Sequence, residues 1–369
     1  MITQTRLGIM TKIGLCFGGY CPLHQGHLDL IMRAKKENDI AYVIVCGFDL
    51  EPRAEEIGLP LRRRTIIIRE LFKGDEQIRV IEINDTKVGL DESQSLNNWI
   101  IWQKAIKEQI GLDENAKYVW YVGEPRYKEE ILATNLFNAS VYLADREDNL
   151  VSGTLIRKFP IRYWSKISKP FRQYFSTNIL ITGTASEGKS TLTRDIATYF
   201  GLPYMTEFGR EYMEKFCKTD VDLTVNDFIE FLIGQRKYSQ EKIASPENPG
   251  IFISDTDNLV TLMYARAYSE DPEIEINPRQ YNNVLLPFAK TLQHGIVWNK
   301  IYLLPPKNDF VDDGSRYMKQ STIEERTKNY DILVSLLSEF GWWDKVEILN
   351  GSFFENFETV KSYINGRLN

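Results

Sequence analysis

Two glycine-containing segments limit what this chain can fold into, because each lies between an apolar run and an amphipathic stretch. Residues 18–27 read GGYCPLHQGH, and residues 183–190 read GTASEGKS. An apolar strand that ends in glycine and leads directly into a helix is the repeating unit of parallel α/β sheets. The first N–H groups of such a helix have no intrahelical partner and attract anions such as phosphate. Two such units predict two α/β domains, each with a nucleotide phosphate site.

The length and composition of the chain agree with two folded domains. Its 369 residues exceed what one hydrophobic core usually organises, and 43% hydrophobic with 12% aromatic residues is typical of globular proteins. The net charge of −6 opposes broad nucleic-acid binding, which usually needs a basic face. We therefore expect small-molecule partners and no nucleic-acid partner, and the sequence leaves a homo-oligomer open.

Cysteine spacing and apolar patterning indicate a cytoplasmic protein. The four cysteines, at positions 16, 21, 46 and 217, show no Cys-x-x-Cys spacing, so we expect reduced thiols and no zinc site. Nothing at the N-terminus resembles a signal peptide, and no run approaches the roughly 20 apolar residues that span a bilayer. Cys21 lies inside the first loop, which raises the hypothesis that oxidation affects that site.

The pattern along the chain is that of strands alternating with crossover helices. In the first half we predict strands at 12–17, 41–47, 78–83, 117–122 and 140–143, and helices at 26–37, 61–72 and 96–110. The pattern restarts, without an internal repeat, with strands at 178–182, 251–254, 300–304 and 346–349 and a helix at 189–200. We expect an α/β fold with two domains, 1–168 and 177–369, each with a mostly parallel sheet.

The first loop contains two of the three histidines of the chain, His24 and His27. An isolated His-x-x-His pair is most often a helix cap, a core pair or a weak metal site. Here Gly18 and Gly19 follow a strand and allow backbone N–H groups to approach a phosphate, while Pro22 stiffens the turn. Because the histidines lie where the next helix begins, their ring N–H groups and the helix N-terminus point at one anion. The pattern favours a phosphate site.

Residues 18–27 resemble the (H/T)xGH motif of the nucleotidyltransferase superfamily, and residues 152–157, SGTLIR, resemble its ISxTxIR motif. With the pair Asp145-Arg146 just upstream, the first domain resembles a Rossmann-like nicotinamide mononucleotide adenylyltransferase. The resemblance implies that His24 and His27 contact the triphosphate of ATP and stabilise the transition state, with Mg²⁺ shielding further charge. The other ATP-binding residues that it implies are Gly18, Gly19, Ser152, Thr154 and Arg157.

Two further features of the first half have competing interpretations. Trp99 and Trp102 lie on one face of a predicted helix and are most often core residues. The resemblance implies instead that Trp99 stacks on the nicotinamide ring. The run 62–64 of three arginines is most often a solvated helix face, although it can also hold phosphate, and the resembled enzymes place an arginine in this segment.

The second loop has the Walker A form GxxxxGKS, and both flanks fit, since a predicted strand precedes it and a predicted helix follows. Backbone N–H groups would hold the β-phosphate, Lys189 would reach the β- and γ-oxygens, and the Ser190 hydroxyl would ligate Mg²⁺. This pattern predicts a second ATP site. Its predicted residues are Gly183, Thr184, Ala185, Ser186, Glu187, Gly188, Lys189, Ser190 and Thr191.

Two aspartates, Asp255 and Asp257, follow the predicted strand 251–254. Such residues can be helix caps, but at the P-loop edge of a parallel sheet a metal-ligand or general-base role is favoured. We predict that both are catalytic, with Asp255 on the metal and Asp257 near the substrate. The sequence leaves open which of the two accepts the proton.

Residues 207–212, EFGREY, and 312–316, DDGSR, are the other distinctive segments of the second half. Each can be a charged loop or a helix start, but an arginine in a glycine-containing loop suits a lid over a transferring phosphoryl group. Arg316 and Arg326 are the lid candidates. With the P-loop and the aspartate pair, these segments resemble the ribosylnicotinamide kinase half of NadR-type proteins. The resemblance implies that Glu207, Arg210 and Asp257 bind the riboside and that Arg316 contacts ATP.

The resemblance covers nearly the whole chain and implies two linked reactions. One is phosphorylation of nicotinamide riboside by ATP, and the other is adenylyl transfer from ATP to nicotinamide mononucleotide, which gives NAD and pyrophosphate. The chain departs from NadR proteins of enteric bacteria at the N-terminus, where those carry a helix-turn-helix domain, so we expect no direct operator binding.

Two alternatives to this function stay open from the sequence. The same two ATP chemistries can act on other acceptors, such as phosphopantetheine, glycerol phosphate or a different nucleoside. Alternatively, the chain is a nucleotide-sensing regulator of NAD status that contacts a transporter. Turnover by the purified protein distinguishes an enzyme from a pure sensor.

Overall fold

The chain divides after Phe175 into two units, Met1–Phe175 and Ser176–Asn369. Their α/β architecture confirms the predicted fold class, while the domain bounds 1–168 and 177–369 stay predictions. The computed structural model describes residues 10–90, 96–111, 113–145, 151–292, 297–311 and 321–368. Among these residues no helix is long and apolar enough to cross a membrane.

The first unit is a parallel sheet with helices along it. Its strands are β1 (Lys12–Gly18), β2 (Ile40–Gly47), β3 (Ile78–Asn84), β4 (Lys117–Val122) and β5 (Ser140–Leu143). Its helices are α1 (Gln25–Glu37), α2 (Pro52–Glu55), α3 (Leu61–Leu71), α4 (Leu96–Ile110), α5 (Pro125–Thr134), α6 (Gly153–Lys158) and α7 (Lys169–Arg172), with a 3₁₀ turn at Trp164–Lys166. Over the described residues the strand order is β3-β2-β1-β4-β5, with every pair parallel.

The second unit repeats this architecture with a different strand order. Its strands are β6 (Thr177–Gly183), β7 (Tyr204–Met205), β8 (Ile251–Ser254), β9 (Lys300–Leu304) and β10 (Val346–Ile348). Its helices are α8 (Lys189–Phe200), α9 (Phe208–Phe216), α10 (Val225–Ala244), α11 (Asn258–Tyr268), α12 (Pro278–Gln280), α13 (Leu286–Leu292), α14 (Ile323–Glu339) and α15 (Phe353–Leu368). Shorter helical turns are Asp220–Asp222, Tyr281–Leu285 and Trp343–Lys345. In the described part of this unit the order is β10-β9-β6-β8-β7, again parallel.

The predicted strands are confirmed to within one residue at either end. This accuracy follows from burial on both faces of each sheet. In β1, Leu15 belongs to one apolar core and its neighbour Cys16 to the other, because successive side chains point to opposite faces. A strand buried on both faces is a continuous apolar run, which a sequence displays clearly. By contrast, β7 has two residues, too few for any pattern to indicate.

The strand orders determine where ligands can bind. In the first sheet β1 has β2 on one side and β4 on the other, so the chain changes direction beside β1. In open parallel sheets ligands bind outside the carboxyl ends of the strands at such a point. In the second sheet β6 lies between β8 and β9, and the second loop follows β6 directly. Each glycine loop therefore lies at the edge of its sheet where binding is expected.

At Gly183, in the second unit, any side chain would collide with the backbone of the neighbouring strand β9. Its φ is +145°, and an added Cβ would lie 2.5 Å from the carbonyl oxygen of Leu304. We expect Gly183→Ala to lower the free energy of unfolding of this unit by about 3 kcal/mol, from strain and displacement of β9. Gly201→Ala is the matched control, since Gly201 has φ +65° but no neighbour within 4 Å, and we expect a loss of about 1 kcal/mol. Calorimetric unfolding measures both, and equal losses would contradict the steric argument.

Candidate functional site

The loop between β1 and α1 brings the two predicted histidines together. His24 is the N-cap of α1 in an extended conformation, with φ −134° and ψ 173°. The rings of His24 and His27 stack with centroids 3.7 Å apart and planes at 25°. The ring of Tyr20 meets His27 edge-on at 4.9 Å. Because α1 begins at Gln25, both rings lie beside its N-terminal N–H groups.

Burial keeps both histidines neutral. His24 is 5% exposed, and burial lowers its pKa to about 4. Burial also lowers the pKa of His27 well below its usual value, and the neighbouring His24 lowers it further. The Nδ1 atoms of both rings are buried without a hydrogen-bond partner. Neutral imidazoles can donate one hydrogen bond each to an anion without a fixed positive charge in the empty site.

The second predicted motif of the first unit packs directly on the loop. Ser152 caps α6 by accepting a hydrogen bond from Leu155 N at 3.2 Å. Arg157 donates to the carbonyl oxygen of Cys21 at 2.6 Å and to Thr154 Oγ1 at 3.1 Å. Glycine at 153 makes room for this approach, since an added Cβ would lie 3.2 Å from Cys21 O, a tight contact. Segments far apart in sequence therefore form one site.

An open cleft of about 2370 Å³, which includes solvent space, runs along this site. Residues at the carboxyl end of β1, in the first loop and in the segment before α6 line it. The predicted residues on its wall are Gly18, Gly19, His24, His27 and Ser152. Asp145 also lines the cleft, whereas Arg146 lies outside the described residues. The wall also includes Glu124 and Tyr127, which belong to no motif of the sequence.

Trp99 lies in an aromatic cluster at the edge of this cleft. Its ring contacts Phe17 and Tyr127 edge-on, each with centroids 5.8 Å apart, and both of these residues line the cleft. Trp99 is half-buried, while its helix neighbour Trp102 is a core residue with 5% exposure. The two tryptophans therefore differ in environment, and stacking of Trp99 on a ligand ring stays a prediction.

Arg64 corrects the solvated-face interpretation of the arginine run. Its side chain is fully buried, donates to Glu51 Oε2 at 2.6 Å and also donates to the carbonyl oxygen of Gly19. Glu51 also accepts a hydrogen bond from a second arginine, Arg53, whose Nε lies 2.5 Å from Glu51 Oε1. Arg62 and Arg63, by contrast, are exposed. Arg64 therefore stabilises the first loop by its hydrogen bond to Gly19 O, a role that helix periodicity alone does not indicate.

The thiol of Cys21 is poorly suited to redox chemistry. Cys21 is 5% exposed, and burial raises the pKa of its thiol despite the nearby charges of Arg64 and Arg157. A buried, protonated thiol is a weak nucleophile. The structure therefore gives no support to oxidation control at this position.

The second loop has the backbone of a phosphate-binding loop. Gly188 precedes α8 with φ +81°, and Ser186 also has a positive φ of 67°. The Lys189 side chain donates to the carbonyl oxygen of Thr184 at 2.6 Å, folding back over the loop. Positive φ values in such a loop are typical of backbone nests, in which successive N–H groups can bind one anion. The side chains of Ser190 and Thr191 are exposed there.

A cavity of about 970 Å³ opens beside this loop. Ala185, Lys189 and Ser190 form its phosphate end, and Asp255 lies on its wall. Asp255 is 5% exposed, and its Oδ1 is buried without a hydrogen-bond partner. Over the described residues no cluster of three His, Cys, Asp or Glu side chains forms a metal site. A lone carboxylate with a hydroxyl still suits Mg²⁺, which usually takes one or two carboxylates plus phosphate oxygens.

Asp257 lies elsewhere, which corrects its predicted place near the substrate. Its Oδ1 caps α11 by accepting from Leu259 N at 3.0 Å, and its Oδ2 accepts from Trp298 Nε1 at 3.3 Å. Burial raises the pKa of Asp257 to about 7. It lines a different cavity, away from Lys189 and Ser190. Side chains two positions apart after β8 point to different sides, so only Asp255 lies with the loop.

The acceptor side of the cavity is aromatic and acidic. Glu207 and Arg210, both predicted, line it from the start of α9. Asp220, which the sequence analysis did not select, lines it with 9% exposure and hydrogen-bonds with Tyr268. Its apolar wall comprises Met213, Leu223, Phe228, Phe231, Val260, Tyr264, Tyr268 and Phe310. Such a cavity suits a flat ring attached to a polar group.

The predictions for the two lid candidates, Arg316 and Arg326, have different outcomes. Arg316 and its segment 312–316 lie outside the described residues. Arg326 is 3% exposed in α14 and forms an ion pair with Glu187 at 2.7 Å. A buried, paired guanidinium cannot serve as a mobile lid arginine. Glu187 is likewise absent from the cavity wall, because its side chain points toward Arg326.

The neutral histidines predict a pH dependence of stability in the first unit. Unfolding frees His24 to bind a proton near its ordinary pKa of 6.5, whereas the folded protein resists protonation down to about 4. Its stabilising contribution is therefore present above 6.5 and lost as the pH falls toward 4. We expect the wild type to lose about 2 kcal/mol more than His24→Asn between pH 7 and 4.5, as measured by calorimetric unfolding.

Asp85 supplies a control with the opposite sign. Burial raises its pKa to about 7, so its contribution is present at low pH and is lost as the pH rises through 7. We expect Asp85 to lower the stability of the wild type as the pH rises from 4.5 to 7. In Asp85→Asn this loss of stability should be absent. Identical pH profiles for the wild type and His24→Asn would refute the histidine assignment.

Comparisons with known proteins agree with the two units. Residues 15–159 match the family model described as cytidylyltransferase-like, and residues 178–355 match that of an AAA domain. The trifunctional NAD biosynthesis/regulator protein NadR of Escherichia coli strain K12 is 27% identical over 342 residues, which cover 89% of this chain and 76% of that protein.

Two solved structures resemble the whole chain. The crystal structure of NadR protein in complex with NR has a TM-score of 0.81 and 31% identity, covering 96% of both chains. The crystal structure of NadR protein in complex with NAD and AMP-PNP has a TM-score of 0.80 and 30% identity, covering 97% of this chain and 96% of that one. The chain therefore belongs to the NadR family and is an NAD biosynthesis enzyme with a nucleotidyltransferase domain and a P-loop kinase domain.

Proposed function

We propose that the second unit phosphorylates nicotinamide riboside with ATP and that the first unit joins the resulting mononucleotide to AMP, giving NAD. The cavity beside Lys189 and Ser190 carries this proposal, because its wall combines aromatic rings with the carboxylates of Glu207, Asp220 and Asp255. Nicotinamide riboside is a flat cation linked to a sugar. Aromatic faces and carboxylates together attract such a cation.

The relatives support the choice of ligands. One solved NadR structure contains NR, and another contains NAD with AMP-PNP, an ATP analogue. We transfer the riboside and ATP to the second unit of this chain, where a phosphate loop and an acceptor cavity adjoin. We transfer the mononucleotide, ATP and NAD to the cleft of the first unit.

In the kinase step the 5′-hydroxyl of the riboside attacks the γ-phosphorus of ATP and ADP leaves. The loop N–H groups and Lys189 stabilise the phosphate charge, which is most of what phosphoryl transfer requires. Asp255 lies on the wall between the loop and the acceptor cavity, where it can accept the hydroxyl proton or bind the metal. Asp257 has neither role in this proposal, since it caps α11.

The residues of the second site fit Mg²⁺. The unpartnered Oδ1 of Asp255 and the exposed hydroxyl of Ser190 adjoin the same cavity and would hold it. Such an ion would supply positive charge that neutralises the phosphates held by these residues.

In the adenylyl step the 5′-phosphate of the mononucleotide attacks the α-phosphorus of ATP and pyrophosphate leaves. The acceptor phosphate is already a nucleophile, so positioning and charge stabilisation are sufficient. His24, His27 and the N-terminus of α1 supply hydrogen-bond donors for the triphosphate. Arg157 binds Cys21 O and Thr154, and its guanidinium brings positive charge to the edge of the same loop.

Single substitutions should separate the two reactions. We expect Lys189→Ala to lower riboside phosphorylation at least about a hundredfold, because it removes the cation at the transferring group, and to leave adenylyl transfer unchanged. His27→Ala should do the reverse. Incubating purified protein with riboside or mononucleotide, ATP and Mg²⁺ and separating the products by chromatography measures both. If the wild type forms neither mononucleotide nor NAD, the proposed reactions are refuted and a nucleotide-sensing role is favoured.

Asp220 should decide how well the cationic riboside binds. Asp220→Asn keeps an acceptor for Tyr268 and removes the charge, so we expect the KM for riboside to rise about tenfold while kcat changes little. Asp222→Asn is the control, since Asp222 is exposed in the same 3₁₀ turn and is bound by Thr219. An equal rise in KM for both variants would assign the effect to the turn rather than to the charge.

A further inference from the structure

The second loop carries a carboxylate of its own, Glu187, that points away from the cavity. Its side chain is 1% exposed. Oε2 accepts from Asn308 Nδ2 at 3.0 Å, from Lys307 N at 3.2 Å and from Asn308 N at 3.3 Å. Oε1 accepts from Arg326 Nη1 at 2.7 Å. The carboxylate is thus fully bonded on the inner side of the loop.

Arg326 is the only arginine or lysine side chain among the described residues that pairs with this carboxylate. Its own side chain is 4% exposed, and its Nη2 donates to the carbonyl oxygen of Asn308 at 2.8 Å. One guanidinium therefore joins the phosphate loop, the segment after β9 and α14. Ser186 adds a neutral link to the same segment by accepting from Val311 N at 3.0 Å.

The position of Glu187 creates an electrostatic problem that the ion pair solves. Glu187 immediately precedes Gly188, Lys189 and Ser190, and the last two line the cavity where the phosphates are expected. A negative charge a few ångströms from a phosphate site opposes anion binding, and burial weakens the screening by water. Pairing with Arg326 neutralises the carboxylate and keeps it turned inward.

A stability role alone does not explain the pair. Replacing a buried ion pair by apolar side chains of similar volume is often neutral for folding, whereas removal of one partner leaves a buried charge uncompensated. The informative quantity is therefore the affinity of the loop for nucleotide, separated from the stability of the fold.

We propose that Glu187 and Arg326 are a positioning pair for ATP, in which the arginine neutralises the carboxylate of the phosphate loop and fixes the loop to α14. This inference rests on the proposed kinase function of the second unit. It gives Glu187 a role opposite to that of a ligand-binding side chain, since its charge must be cancelled for phosphate to bind.

The charges predict unequal effects of the two single substitutions. Arg326→Met leaves an unpaired carboxylate beneath the phosphates, so the KM for ATP in riboside phosphorylation should rise roughly tenfold or more. Glu187→Gln removes the negative charge and keeps an acceptor for Asn308, so we expect a rise of about threefold at most. Lys328→Met in the same helix is the control, because Lys328 is an exposed cation that pairs with Glu325, and it should leave the KM unchanged.

The double variant Glu187→Gln/Arg326→Met separates neutralisation of the carboxylate from anchoring of the loop to α14. With both charges gone, its KM for ATP should return to within about threefold of the Glu187→Gln value, although both anchors of the loop are altered. The proposal is overturned if Arg326→Met lowers only the unfolding temperature and leaves the KM unchanged. It is equally overturned if the double variant is no better than Arg326→Met.

Two readouts keep this test independent of the proposed function. Adenylyl transfer should be the same in all variants, which shows that the first unit is unaffected, and the unfolding temperature of each variant shows whether the second unit, which contains the pair, is folded. If the wild type does not phosphorylate riboside, the proposed function fails, and the pair is then tested by calorimetric ATP binding in a His27→Ala background. The same order of affinities is expected there, and equal affinities in all variants would refute the pair.

Discussion

Both sites depend on the same backbone constraint, which is a strand that ends in glycine and is joined to the next helix by a short loop. The first N–H groups of α1 and α8 have no acceptor within their own helices, and parallel strands deliver them to one edge of each sheet. Gly183 shows how tight this arrangement is, since its backbone lies against β9 with no room for a Cβ atom. The side chains that distinguish the two chemistries are arranged around this common anion-binding geometry.

A second common element lies beneath each loop. In the first unit Arg64 pairs with Glu51 and donates to Gly19 O, and in the second Arg326 pairs with Glu187 and donates to Asn308 O. Both guanidiniums are buried and come from helices distant in sequence. Since buried ion pairs contribute little net stability, we assign these pairs to the geometry and the charge balance of the loops. A planar guanidinium bonds a carboxylate and a carbonyl at once and so fixes the loop relative to a helix.

The sequence predicted most of the fold and the centre of each site, for physical reasons that particular residues illustrate. Strands such as β2 are buried on both faces and appear as continuous apolar runs, and the two loops carry the glycines that their turns require. Whether Arg64 and Arg326 are buried depends on the carboxylates with which they pair in the folded chain. The local sequence pattern does not indicate these pairings. Asp255 and Asp257 look equivalent in sequence, yet side-chain direction after β8 separates a cavity wall from a helix cap.

The stacked, neutral histidines of the first loop also couple nucleotide binding to the solvent. A triphosphate placed beside His24 and His27 would stabilise their protonated forms and raise both pKa values from the low values that burial imposes. At a pH near the raised values, binding would then take protons from the buffer. The apparent enthalpy of association would therefore vary with the ionisation enthalpy of the buffer, and the cleft of the first unit would act as a proton acceptor whenever its nucleotide arrives.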